Sequence, residues 1–254
     1  MHAAMIIAAA TFREAIRARV FVYLLVVVAC MVAGSFPAAQ LSFGEHERII
    51  VDVAMGAISF IAIFLALFFG VSGVSGEIER RTIYALIAKP VSRREFVCGK
   101  FLGVWFTVTV AVCISYLILF ALIFLSFARL PSEIFLPWFM ALFEMGLLVA
   151  VATFFSCMTR PLLSSLFALA LYAVGTSLHS ILYWVGRSTP SLASLSQFFY
   201  YLLPNFELFD VKAEVVYHLH YPSHQLLFCA AYALVYMAIL VWGGSFILDR
   251  RDLK

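Results

Sequence analysis

Charge is what this chain lacks most: Asp, Glu, Lys and Arg make up 12% of its 254 residues, against 65% that are hydrophobic. That balance, with 26 Phe, exceeds what a soluble core of this length would bury, and it excludes a water-soluble fold. The net charge of +3 is small, and the basic residues are not clustered among exposed aromatics, so nucleic acid is excluded as a partner. Cysteine is also sparse. Cys30, Cys98, Cys113, Cys157 and Cys229 are odd in number and show no C-x-x-C spacing, so neither a disulfide framework nor a thiolate metal site is expected. There is no internal repeat and no low-complexity linker, which leaves a single domain over residues 1–254. The phosphate-cradling G-x-x-x-x-G-K-[ST] loop is missing too: Gly99-Lys100 is followed by Phe101, and Arg94 stands where the first glycine would be.

What the chain does have is six apolar segments, at roughly 20–39, 53–75, 97–127, 135–158, 162–184 and 224–248. Segments that match the bilayer's span of about 20 residues are too long for strands, so the expected fold is an all-α integral membrane protein with six transmembrane helices. The third run is long enough to begin or end outside the hydrocarbon. With a cytoplasmic N-terminus, 13 of the 17 Lys and Arg residues fall inside, leaving Arg48, Arg129, Arg187 and Lys212 outside. The positive-inside rule therefore predicts N-in, C-in topology. A competing reading takes Met1 to about Ala39 as a cleaved signal peptide; the full span length of that run and Glu14 in its basic region weigh against it.

Many of the scarce charges gather in one stretch, GEIERRTIYALIAKPVSRREFVCGK, from Gly76 to Lys100. On the predicted topology it is cytoplasmic, between spans two and three. Ile83, Leu86 and Ile87 fall at i, i+3 and i+4, the spacing of an apolar helix face, while Glu77, Arg80, Arg81 and Tyr84 lie elsewhere around it. Pro90 ends that helix, and Ser92-Arg93-Arg94-Glu95 has the spacing of a capping box that starts the next. A solvated loop would account for the sign of the charges. It would not account for an amphipathic helix, a proline stop and a recapped helix, which together form a cytoplasmic docking element.

This stretch resembles the signature of the six-span ABC-2 type transporter permeases, which runs approximately G-E-x-E-x-G-T, a short apolar helix, then P-V-S-R-x-E and G-K. Gly76, Glu77, Glu79, Thr82, Pro90, Val91, Ser92, Arg93, Glu95, Gly99 and Lys100 stand in those places, and Arg81 replaces the usual glycine. TFREAIRARVF as an amphipathic helix before the first span, LPNFELFDVK before the last span and the closing FILDRRDLK are similar to the family as well. The resemblance implies a non-catalytic permease subunit of the inner (plasma) membrane. It would dimerise with a second copy or paralogue, and a separate cytoplasmic ABC ATPase carrying ATP and Mg would drive transport, with export expected. It implies an ATPase-coupling role for Glu77, Glu79, Arg80, Arg81, Arg93, Arg94 and Glu95. A membrane anchor that recruits a cytoplasmic partner without transport is the alternative.

Four other features carry expectations. Gly70-Val71-Ser72-Gly73 and Gly73-Val74-Ser75-Gly76 match the G-x-S-G of rhomboid-like proteases. The serine would need a histidine, yet His179 sits near the outer end of span five, about 28 Å along the helix from the inner boundary at Arg160. Close helix packing explains the small residues better. Glu144, about 13 Å into the fourth span, is either a pathway residue or a carboxyl bonded to a neighbouring helix. His218, His220 and His224 could hold a transition metal, but no cysteine or carboxylate completes a set, and no resident metal is expected. Finally, the segment from Trp184 to Ser223 is too long for a turn and too apolar for water. Phe198, Phe199, Tyr200 and Tyr201 make it an interfacial segment and a candidate outer gate.

Overall fold

A computed structural model describes residues 2–40, 46–79, 92–127, 134–178, 180, 200, 202–212 and 222–250. The expected all-α class holds, with no strand among the described residues. The described helices are α1 (His2–Arg17), α2 (Arg19–Gln40), α3 (His46–Glu79), α4 (Arg93–Phe127), α5 (Phe135–Met158), α6 (Pro161–Thr176) and α7 (Ser223–Arg250), with a 3-10 turn at Glu207–Phe209. Five of them, α2, α3, α4, α5 and α7, are long and apolar enough to cross a membrane, and α6 is a shorter apolar helix. The fifth apolar run, expected over 162–184, is a continuous helix over Pro161–Thr176, and residues 181–199 lie outside the described residues. The predicted knuckle helix around Ile83–Ile87 and the proline stop at Pro90 also lie outside them.

Length is the first organising fact. α3 has 34 residues and α4 has 35, so each runs about 50 Å, well beyond a hydrocarbon core of about 30 Å. Each must therefore project from the membrane, as expected of the third run. α5 and α6 form a tight hairpin with only Thr159 and Arg160 between them. Arg160 is extended and Pro161 opens α6, where its missing N–H costs nothing. Ser164 Oγ locks the corner by bonding Phe155 O at 3.1 Å, within 2.7 Å of Thr159 Oγ1.

α5 is the hub. It packs against α3, α4, α6 and α7, and Leu147, Leu148, Val149, Ala150, Val151 and Ala152 are all 0% exposed, so the helix is covered on every side. Small residues allow this closeness. A Cβ on Gly146 would stand 2.5 Å from Trp105 Nε1, and one on Gly70 would stand 2.8 Å from Ala152 Cβ. The repeated small residues of α3 thus serve helix contact. Ser156 Oγ of α5 accepts from the Ser75 N–H at 2.7 Å and donates to Val71 O at 3.0 Å, placing a neighbour's hydroxyl inside a turn of α3. Thr107 and Thr153 instead bond carbonyls of their own helices, Gly103 O and Val149 O. The exposed apolar side chains, among them Phe60, Phe64, Leu125, Leu162 and Trp242, suit a lipid-facing surface.

α1, the expected amphipathic helix, lies along the first turns of α4. Gly99 and Gly103 form its seat: a Cβ there would meet Ala4 O and Ala8 O, both at 2.7 Å. Because those atoms are backbone, they cannot swing aside. Gly99→Val should undock α1 and destabilise the protein by about 1–3 kcal/mol. Gly34→Ala, with nothing within 4 Å, should be close to silent. Limited proteolysis at Arg13 and Arg17, with thermal melting in detergent, reads both.

Candidate functional site

Two polar clusters lie at opposite ends of the bundle. At the first end, Ser92 caps α4. Its Oγ accepts from the Glu95 N–H at 3.3 Å, and the Glu95 carboxylate takes the Ser92 hydroxyl at 3.1 Å and N–H at 3.5 Å. This is the capping box expected from the sequence. It directs Arg93 and Arg94 toward the end of α7. Arg93 Nη1 donates to Leu248 O at 2.6 Å and to Asp249 O at 3.5 Å, satisfying carbonyls that the last turn of a helix leaves open. Arg94 Nε meets Asp249 Oδ2 at 3.3 Å.

About two turns further along α4, Lys100 pairs with Glu77 near the end of α3. Lys100 is 8% exposed, and its ammonium also lies 5.9 Å from the centroid of the Phe96 ring. Four of the seven residues expected to couple to an ATPase are thus tied into the chain's own frame: Glu77, Arg93, Arg94 and Glu95. Glu79 ends α3, and Arg80 and Arg81 lie outside the described residues. The frame joins the ends of α3, α4 and α7 and the seat of α1 around the span 80–91. Sequence reasoning noted Lys100 in the motif but gave it no partner, and it did not foresee α7 as the acceptor of Arg93. No local pattern encodes a contact across 155 positions.

At the other end, Glu144 is 6% exposed on α5 and accepts from the Tyr172 hydroxyl of α6 at 2.8 Å. The expected bond from this carboxyl to a neighbouring helix is present. Tyr172 in turn stacks edge-on against Phe206, with centroids 4.9 Å apart. Phe206 donates its N–H to Gly175 O at 3.1 Å and occupies the place a Cβ on Gly175 would need. Asn205 Oδ1 accepts from the Glu207 N–H at 3.0 Å, opening the 3-10 turn, and the Asn205 N–H donates to the Tyr232 hydroxyl of α7. The Tyr236 hydroxyl of α7 in turn donates to Leu202 O. Asp210 and Lys212 pair at 3.7 Å. The LPNFELFDVK segment is therefore a wedge that fastens α6 to α7 over a buried carboxyl. Of the candidate gate residues, Tyr200 is helical and half-buried, while Phe198, Phe199 and Tyr201 lie outside the described residues. His224 is exposed, His218 and His220 lie outside the described residues, and no metal-ligand cluster occurs among those described.

Two measurements follow. In a double-mutant cycle, Glu77→Gln and Lys100→Met should each destabilise the protein, with a coupling of about 0.5–3 kcal/mol between them. Additive losses would mean the pair carries nothing. Tyr172→Phe removes the donor to Glu144 and should cost about 1–3 kcal/mol in thermal melting, since a buried acceptor is left unsatisfied.

The comparisons bear on the whole assembly. Among curated proteins no match is found. The profile of the ABC-2 family transporter proteins matches residues 5–253, taking in α1, the frame, the hub helix, the wedge and α7. This multi-pass membrane protein belongs to the ABC-2 family of transporter proteins.

Proposed function

We propose that the chain is the permease subunit of an ABC exporter, with six spans, both termini cytoplasmic, and placement in the inner (plasma) membrane. It works as a dimer with a second copy or a paralogue, and a separate ATPase that binds ATP and Mg docks on the segment from Arg80 to Val91. One observation carries the reading. The ends of α3, α4 and α7 and the seat of α1 are bonded together around that segment through Glu77–Lys100, Arg93–Leu248 and Arg94–Asp249. A load applied to the segment then reaches several spans at once, which is what coupling to a motor subunit requires. The 13-to-4 division of Lys and Arg supports a cytoplasmic location for that end.

On this reading the distribution of labour among the charges is physical. Glu77, Arg93, Arg94 and Glu95 hold the frame rigid, while Glu79, Arg80 and Arg81 form the surface offered to the ATPase. The segment from Trp184 to Ser223 is the outer gate, and its wedge at 202–212 holds α6 and α7 together beside Glu144, the residue we assign to the translocation pathway.

In membranes that carry the chain with its ATPase, Arg80→Glu with Arg81→Glu should abolish co-purification of the ATPase. Insertion should persist, read as failure of an external reagent to label a thiol introduced near Lys254. Undiminished co-purification together with undiminished transport-coupled ATP hydrolysis would overturn the docking role.

A further inference from the structure

Beside the Glu77–Lys100 pair, α1, α3 and α4 surround a cavity of about 470 Å³. That volume lies in the usual range of ligand pockets, about 300–1,000 Å³. Its wall has two characters. Phe68 supplies an apolar side that is open to the outside of the bundle, whereas Thr11, Glu14, Ser72, Glu77 and Lys100 supply a polar one. Two carboxylates against one ammonium leave a net negative charge in the lining.

Two features of the polar wall go unused by the fold. Thr11 is 6% exposed, and its Oγ1 is buried with no hydrogen-bond partner among the described residues. The Thr11 atoms nearest to where a Cβ on Gly103 would stand are carbons, Cβ and Cγ2. A buried hydroxyl left unsatisfied is rare and calls for an acceptor. Glu14 is exposed at the rim and has no ion-pair partner among the described residues. The cavity thus offers a donor and a shared ammonium on one side, a free carboxylate on another, and an aromatic exit.

We propose that this cavity binds a phospholipid headgroup of the ethanolamine class, its primary amine at Glu14, its phosphate at Thr11 and Lys100, and its acyl chains leaving along Phe68. A primary amine fits because its N–H groups can donate to a carboxylate, which a quaternary ammonium cannot do. A phosphate fits because it accepts from both Thr11 and Lys100. A lipid rather than a soluble zwitterion fits because α3 carries Phe60, Phe64 and Phe68 along one exposed row that ends at the cavity. The site depends on the orientation proposed above only for the leaflet it samples, so binding can be tested without the ATPase.

The full chain in detergent is titrated with phosphatidylethanolamine, phosphatidylcholine, phosphatidylglycerol and soluble glycerophosphoethanolamine, and bound molecules are counted by native mass spectrometry. Phosphatidylethanolamine should bind about tenfold more tightly than phosphatidylcholine or phosphatidylglycerol, the factor expected for one charge-assisted hydrogen bond, and more tightly than glycerophosphoethanolamine, which lacks the acyl chains. Glu14→Gln should remove that preference, and Gly73→Leu, which fills the cavity from α3, should remove binding. Equal binding of phosphatidylcholine or phosphatidylglycerol would overturn the amine assignment, and equal binding of glycerophosphoethanolamine would overturn the lipid. Retention unaffected by both substitutions would overturn the site.

Discussion

The structure depends on how closely its helices can approach α5. Lipid tails are as apolar as leucine, so no hydrophobic gain drives one spanning helix onto another; packing contacts and buried hydrogen bonds must do it. A helix covered on every side over Leu147–Ala152 needs neighbours with little bulk at the crossings. Gly70 opposite Ala152, and Gly146 under Trp105 and Met237, meet that need. The polar contacts follow from the same closeness. Ser156 reaches the backbone of α3 because nothing larger than a small side chain separates the two helices, and Trp105 Nε1 reaches Leu142 O at 3.2 Å.

Local pattern made the helices legible, and long-range pairing was the part it could not supply. The apolar runs marked α2 to α7 because sustained hydropathy is a property of consecutive residues. The boundaries of α5 agree at both ends, whereas α3 and α4 extend beyond their apolar runs because a helix does not stop where the lipid does. Ser92 and Glu95 were readable as a cap because the motif spans four residues. The partners of Glu77, Arg93 and Glu144 were not, since each lies on a different helix and the choice among neighbours is made by packing. Gly99 was noticed as part of a motif, but its role as a seat for α1 depends on which face of α4 that helix takes. The wedge was recognised as a feature before the last span, yet only the bonds of Asn205 and Phe206 reveal that it ties α6 to α7.

The two ends of the bundle use different devices. Around the span 80–91, ion pairs and a guanidinium on open carbonyls join helices through charge. Around Glu144, tyrosine hydroxyls and ring edges join them through neutral donors and shape. Charge-based contacts weaken with salt where they are exposed, as Arg94 is, whereas the tyrosine contacts do not. The end with the charged segment is therefore the one whose geometry responds to the ionic composition of its surroundings.

The bond from Arg93 to Leu248 also has a meaning in time. Helices emerge from synthesis in chain order, so α4 begins long before the residues that Arg93 will hold exist. Until α7 arrives, the guanidinium lacks the carbonyls of Leu248 and Asp249, and the start of α4 is held by its packing on α1 and α3. Completion of the last helix is thus the event that makes the charged end rigid, and a half-made chain cannot present the finished surface.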